Sequence, residues 1–529
     1  MTTCNKPNLL LITSDQQHWA TIGMLNPKIK TPNLDRLARL GVHFNRAYCP
    51  NPTCTPTRAS LITGLYPSAH GAFTLGTKLP EHIPTLGGYL RVHGYDTALI
   101  GKAHFQPLRS TDECQSVEAY PTLRDTEFWS TFNDTHTPWY GFDYCELTRN
   151  HTDEGHVGQH YALWMEENGL DNWRAYFQPR SDNHKDTDHD ATRAPQVDPD
   201  SMLGLRKDDS WQLPESFHYT AWTGQKTISA IKRSHAQGKP FFIWSSYHDP
   251  HPPYCVSEPW ASMYNPKDMD IDQYIEGEMD EMPLPHQLTR ESENHFAPFN
   301  QDGWGNHGYH PHADVTREQL QRAKAIYYGM ISFMDYWIGQ TLDELEANGQ
   351  LENTLIVFTS DHGHFIGEHG LIAKGPFHYE DLIKVPFICA WKNQIPHQSS
   401  NHAIQSLVDL APTFLEAAGL EVPRHMQGRS QLKAWKQQAQ PSRNYAIVEN
   451  HHQAGPEVHL QTLITDRYKL TVYRGREWGE LFDLLNDPSE HQNLYTNPSF
   501  KEVKTDMYRQ LVQANLEREQ TAMPRVCYA

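Results

Sequence analysis

Asn8-Leu9-Leu10-Leu11-Ile12-Thr13 runs straight into Ser14-Asp15-Gln16, and Thr354-Leu355-Ile356-Val357-Phe358-Thr359 runs straight into Ser360-Asp361-His362-Gly363. Each is a short aliphatic run that stops abruptly at an acid, the pattern of a strand buried on both faces. Further runs at 96–100, 240–245 and 385–390 alternate with helical periodicities at 33–40, 85–93, 221–234, 316–346, 403–418 and 501–517. Such alternation predicts an α/β fold, a large, mostly parallel sheet flanked by helices. Within 316–346, Ile326, Met330, Phe333, Met334, Trp337 and Leu345 recur at helical spacing and are read as core.

In open α/β sheets, sites form beyond the carboxyl ends of the strands. Four predicted strands deliver polar groups there: Asp15 and Gln16; Lys102 and His104; His248, Asp249 and His251; Asp361 and His362. One acid at a strand end is ordinarily a turn residue; four such ends together suggest a site. Asp15, Gln16, Asp361 and His362 make an oxygen-rich shell with at most one nitrogen, which suits Ca²⁺, with Mg²⁺ and Mn²⁺ as the other candidates, better than Zn²⁺. Lys102 and His104 are two apart, so in extended chain they point the same way.

A second signal is Pro50-Asn51-Pro52-Thr53-Cys54-Thr55-Pro56-Thr57-Arg58. Pro56 suits a first helical turn, which puts Cys54 at a helix N-terminus, where N–H groups and the helix dipole favour a thiolate or oxyanion. Arg58, one turn on, offers a planar fork to a sulfate- or phosphate-like group.

The chain has 529 residues with 45 Lys plus Arg against 64 Asp plus Glu, a net charge of −19. That balance argues against nucleic acid or an anionic membrane as partner. No apolar run reaches the ~20 residues of a membrane helix. No leader is visible, so the sequence as given reads as cytoplasmic, or as periplasmic or secreted if a signal peptide has been removed. The eight cysteines show no CxxC pair and read mostly as reduced thiols. Two long stretches, 109–215 and 256–313, break the strand–helix rhythm and are expected to be loops facing the substrate. Their Trp129, Trp139, Tyr140, Trp173, Trp211, Trp304 and Tyr309 suit either stacking on sugar rings or ordinary packing. Residues 1–421 are expected to form the catalytic α/β domain and 422–529 a smaller α+β domain.

The string Cys54-Thr55-Pro56-Thr57-Arg58 resembles the Cys-x-Pro-x-Arg core of the formylglycine-dependent sulfatase family, in the alkaline-phosphatase-like superfamily. NLLLITSDQ, RASLITGLYPSAHG, GYDTALIGKAHF, FFIWSSYHDPHPPY, TSDHGHFIGEHGLIAKGPFHYED and ELFDLLNDPSEHQNL follow in the family's order, across roughly 1–107, 221–255 and 316–500. The resemblance implies that a maturation enzyme oxidises Cys54 to formylglycine, whose hydrate is the nucleophile. It implies that Asp15, Gln16, Asp361, His362 and modified Cys54 bind the metal, and that Arg58 supports the nucleophile. Lys102 and Lys374 would contact sulfate oxygens, and His104 would help break down the sulfated hemiacetal. His251 would protonate the leaving oxygen, with His248 the lesser claimant.

Two departures stand out. Many relatives carry paired Asp where this chain has Asp15-Gln16, and Asn where it has His362. These exchanges resemble the phosphonate monoester and phosphodiester hydrolases of the superfamily. Those relatives, however, tend to carry Tyr and Thr where this chain has Lys102 and His104. The cationic pair favours a terminal sulfate, expected on a sulfated carbohydrate, an oligosaccharide end before a small molecule such as an aryl or choline ester. The rivals are that diester or phosphonate activity, and a noncatalytic binding protein that keeps the fold.

Overall fold

The computed structural model describes residues 6–149, 156–177, 203–205, 210–272, 274–290, 315–452 and 458–519. Trp304 and Tyr309 lie outside them. Among the described residues the main sheet has eight strands: Asn8–Ser14 (β1), Gly41–Phe44 (β2), Asp96–Gly101 (β3), Tyr144–Leu147 (β4), Phe241–Ser246 (β5), Thr354–Ser360 (β6), Phe387–Ala390 (β7) and Gln398–Asn401 (β8). Their order is β8-β2-β7-β6-β1-β5-β3-β4. Neighbours pair parallel except β7, which runs antiparallel to β2 and β6.

Strand side chains alternate between faces, and that alternation builds two cores. Leu9 and Leu11 join Phe242, Trp244, Leu355 and Val357 on one face; Leu10 and Ile12 join Ile243, Ile356 and Phe358 on the other. The helices that cover them are Pro32–Arg39 (α1), Cys54–Thr63 (α2), Leu86–Val92 (α3), Tyr219–Ala236 (α4), Arg317–Ala347 (α5) and Leu410–Ala417 (α6). Helices α2, α3 and α6 lie on the first face, and α1, α4 and α5 on the second. A smaller antiparallel sheet follows, Ala446–His452 (β9), Val458–Ile464 (β10), Tyr468–Tyr473 (β11) and Gly479–Asp483 (β12). Against it Lys501–Glu517 (α7) packs Met507, Leu511 and Ala514. No helix among the described residues is long and apolar enough to cross a membrane.

Three expectations are corrected. The run at 385–390 is broken at Pro386: Lys384–Val385 pairs with Ala47–Tyr48, and only Phe387–Ala390 enters the main sheet. Proline has no N–H to continue a ladder. The helix expected over 403–418 starts at Leu410, because Gln405–Ser406 is taken up as a strand beside Ala47–Tyr48. The stretch 109–215 supplies the edge strand β4 and the helices Thr126–Thr135 and Gln159–Glu167. Within it Trp129, Trp139, Tyr140, Trp173 and Trp211 are buried in the cores, so they do not stack on a ligand.

Register sets the site. Ser14 lies opposite Ser360, Thr13 opposite Ser246, and Gly101 opposite Ser246. Asp15, Lys102 and Asp361 therefore leave β1, β3 and β6 at one edge of the sheet, with the end of β5 between β1 and β3. Gly101 holds φ at 99°, and a Cβ there would lie 2.0 Å from the Ser246 carbonyl oxygen. Gly101→Ala should cost at least about 3 kcal/mol through strain and overlap, read as a lowered denaturant midpoint; an unchanged midpoint would contradict this packing.

Candidate active site

Helix α2 begins at Cys54 and is buried along its whole length. Its first residue faces the strand ends. Cys54 Sγ donates to Asp15 Oδ1 at 3.4 Å and lies 3.3 Å from His362 Nε2. Lys374 Nζ donates to the sulfur at 3.2 Å, and Lys102 Nζ stands 3.9 Å away. Lys102 also forms a buried ion pair with Asp15 Oδ2.

Asp361 is held from three sides. Its Oδ1 accepts the backbone N–H of Gln16 at 3.0 Å and of His362 at 2.9 Å. Its Oδ2 accepts Arg58 Nε at 2.9 Å, an ion pair with both side chains fully buried. Arg58 Nη1 donates to the Lys102 carbonyl at 2.9 Å and to Ser246 Oγ at 2.7 Å. Arg58 thus ties α2 to β3, β5 and β6.

His251 Nδ1 donates to the Pro252 carbonyl, and its Nε2 accepts Lys374 Nζ at 3.1 Å. His104 enters through its backbone, whose N–H donates to Glu118 Oε1 at 2.9 Å. Gln16, His104 and Ala373, next to Lys374, hold φ of 63°, 57° and 58°. Non-glycine residues in that region cost energy and cluster at functional sites.

The charge states follow from burial. Burial alone would push the Asp15 carboxyl up, but Lys102, with Arg58 and Lys374 behind it, holds it well below its usual range. Burial and Asp15 push the Cys54 thiol up, against Lys102 and Lys374. Burial therefore works, in unmodified protein, against the thiolate that the helix start favours. Burial, then Lys374, lowers His251 well below its ordinary value, so its ring is neutral rather than the cation expected. Burial likewise keeps His104 and His248 neutral, and lowers His362 to about 4.

These residues fit a divalent metal. Asp15, Cys54, Asp361 and His362 each offer a donor atom, all within 4.8 Å of one another. His362 Nδ1 donates to the Gly363 carbonyl at 2.9 Å, which leaves the Nε2 lone pair facing Cys54. Gln16 Oε1 is buried without a hydrogen-bond partner, while its Nε2 donates to His364 Nδ1 at 2.7 Å. Two carboxylates, an amide oxygen and one neutral imidazole are a hard, oxygen-rich set.

The sequence alone gave no sign of Glu118 and Arg149. Glu118 accepts the N–H groups of His104, Phe105 and Gln106, and Arg149 is buried beside it. The one available signal was position: Arg149 follows a strand end, as Asp15 and Asp361 do.

The sulfatase family model matches residues 7–420, and the model described as N-sulphoglucosamine sulphohydrolase, C-terminal, matches 367–517. The chain belongs to the sulfatase family. Like other members it is a sulfuric ester hydrolase. It is 26% identical over 517 residues to an arylsulfatase of Clostridium perfringens, covering 97% of this chain and 95% of that protein. It is 28% identical over 525 residues to the multifunctional alkaline phosphatase superfamily protein PehA of Trinickia caryophylli, covering 95% and 93%. Its fold matches the phosphonate monoester hydrolase of Silicibacter pomeroyi at TM-score 0.74, with 24% identity over 98% of this chain and 96% of that one. A solved protein in complex with its substrate D-glucosamine-2-N,6-O-disulfate matches at TM-score 0.67, with 20% identity over 97% and 98%.

With the Cys54 thiol raised, unmodified sulfatase should alkylate with iodoacetamide at position 54 more slowly than a free cysteine at pH 8. Lys374→Ala should slow it further, since it removes a cation that favours the thiolate. Peptide mass spectrometry checks both, and a fast reaction at pH 7 would contradict the charge balance.

Proposed function

We propose that this sulfatase cleaves a sulfate monoester on a sulfated carbohydrate, with residue 54 as formylglycine and one divalent metal, Ca²⁺ before Mg²⁺ or Mn²⁺. The observation that carries the reading is the position of Cys54 Sγ, with Asp15 and His362 at one side and the Lys374 and Lys102 ammonium groups also at hand. A maturation enzyme is required for the oxidation. The aldehyde hydrate supplies one hydroxyl to attack sulfur and a second through which sulfate is released. Asp15, Gln16, Asp361, His362 and residue 54 would hold the metal, which supplies positive charge beside the nucleophile.

The chain's own groups do the rest. Lys102 and Lys374 bind the sulfate oxygens, and their preorganised charge favours the transition state. Arg58, locked on Asp361, supports residue 54. His104, neutral where it sits, is suited to take a proton from residue 54 when sulfate departs. In the free site His251 Nε2 carries no proton and accepts from Lys374; to act as general acid it takes up a proton there as the anionic ester binds, and hands that proton to the leaving oxygen. The carbohydrate assignment is supported by the family and by the substrate of the solved complex. Phosphonate monoester or phosphodiester hydrolysis is a second reading, favoured by the Gln16–His362 exchanges and by the fold likeness. Lys102 and Lys374, both at the nucleophile, favour the terminal sulfate.

Coexpression with a formylglycine-generating enzyme should remove about 18 Da from the Cys54 peptide, as thiol becomes aldehyde, and activity should rise with the converted fraction. Full activity with a free thiol would reject the nucleophile. Lys102→Ala should lower aryl sulfate turnover by about 10²–10³-fold and diester turnover less; equal losses would favour the second reading.

A further inference from the structure

Strand β4 is the fifth strand to end at the catalytic edge. Leu147 lies opposite Gly101, and Thr148 N–H donates to the Gly101 carbonyl at 3.1 Å. Arg149 therefore leaves the sheet beside Lys102. It is 1% exposed, one of three buried arginines among the described residues. The other two are tightly bound. Arg443 donates to Asp409 at 2.7 and 2.6 Å, and Arg58 to Asp361 at 2.9 Å. Arg149 makes only long contacts from Nη1, at 3.3 Å to the Gln106 carbonyl and 3.4 Å to Glu118 Oε1, and its Nε has no partner.

Glu118 cannot compensate it fully. Its two oxygens already accept the N–H groups of His104, Phe105 and Gln106 at 2.9, 2.9 and 2.8 Å. The charge of Arg149 reaches His104 and His248, where it opposes protonation. Around the nucleophile, Arg58, Lys102, Lys374 and Arg149 outnumber Asp15, Asp361 and Glu118 before any divalent metal is added. The single charge of a sulfate monoester balances that excess, and the divalent metal these residues would hold leaves the site cationic. A buried, poorly paired guanidinium is costly, and an anion brought by the ligand repays that cost through its planar fork.

We propose that Arg149 forms an anion-binding subsite beside the sulfate site, and that the preferred substrate carries a second negative group, a carboxylate or a second sulfate, near the ester that is cleaved. This rests on the sulfate-ester reading above and narrows its substrate class. The test uses matured, metal-loaded enzyme and two substrate pairs. One pair is an aryl sulfate with and without an ortho carboxylate; the other is a monosulfated hexosamine and its N,O-disulfated counterpart. The wild type should favour the doubly charged member at least tenfold in kcat/KM in one pair, and that pair names the second group.

R149Q should lose at least tenfold more on that member than on its singly charged partner, mainly through KM, while R149K keeps part of the preference. Equal losses on both members would overturn the proposal, since an arginine that only braces residues 104–106 behaves so. Absence of any wild-type preference would overturn it as well. If R149Q does not fold, the wild-type ratios and R149K decide. Should no sulfate ester turn over after conversion of Cys54, the sulfatase reading itself falls. Arg149 is then read by equilibrium binding alone: the disulfated hexosamine should bind at least tenfold tighter than the monosulfated one, with R149K retaining part of the difference, and equal binding would reject the subsite.

Discussion

Two carboxylates from neighbouring strands, Asp15 and Asp361, are buried side by side, and the rest of the site is arranged around keeping them ionised. Parallel register of β1 with β6 sets Ser14 against Ser360 and forces the two acids together. Each would cost several kcal/mol if left unpaired out of water. Arg58 answers Asp361 and Lys102 answers Asp15, both as fully buried pairs. Arg58 lies one helical turn beyond Cys54 and Lys102 just past the end of β3, so on the proposed reading the same two cations stand at the nucleophile and at the sulfate. Charge compensation and catalytic positioning are therefore one arrangement.

Holding that arrangement costs backbone strain. Gln16, His104 and Ala373 sit in the left-handed region, and Gly101 occupies a position where a side chain would meet the next strand. Backbone donors repay part of the cost: Asp361 fixes Gln16 and His362 through their N–H groups, and Glu118 fixes His104, Phe105 and Gln106. Preorganisation of this kind leaves little to rearrange when substrate arrives.

Much of this was legible in the chain. The aliphatic runs of β1, β3, β5 and β6 predicted the sheet, and of the polar residues just beyond them Asp15, Lys102 and His362 reach Cys54, whereas the Asp249 carboxylate accepts from Tyr219 and Thr220. What could not be read was what depends on tertiary context. β4 is only four residues long and half polar, so it carries no clear strand signal. Arg149, two residues past its end, went unnoticed with it. Pro386 split an expected strand, and Gln405–Ser406 left a helical pattern to pair with a strand far back in the chain. Composition left Trp129, Trp139, Tyr140, Trp173 and Trp211 open to sugar stacking or to ordinary packing, and the cores settle them as packing. Charge states were also beyond the sequence, since burial overrode the helix dipole at Cys54 and neutralised His251.

On the proposed reading, one cation and an oxidised residue 54 share the pocket bounded by Asp15, Asp361 and His362. Anomalous diffraction from crystals of converted enzyme grown with Mn²⁺ tests it most directly. A single strong peak is expected in coordination range of those three side chains and of an oxygen on residue 54. A peak elsewhere, with Lys102 and Lys374 still crowding an empty centre, would contradict it.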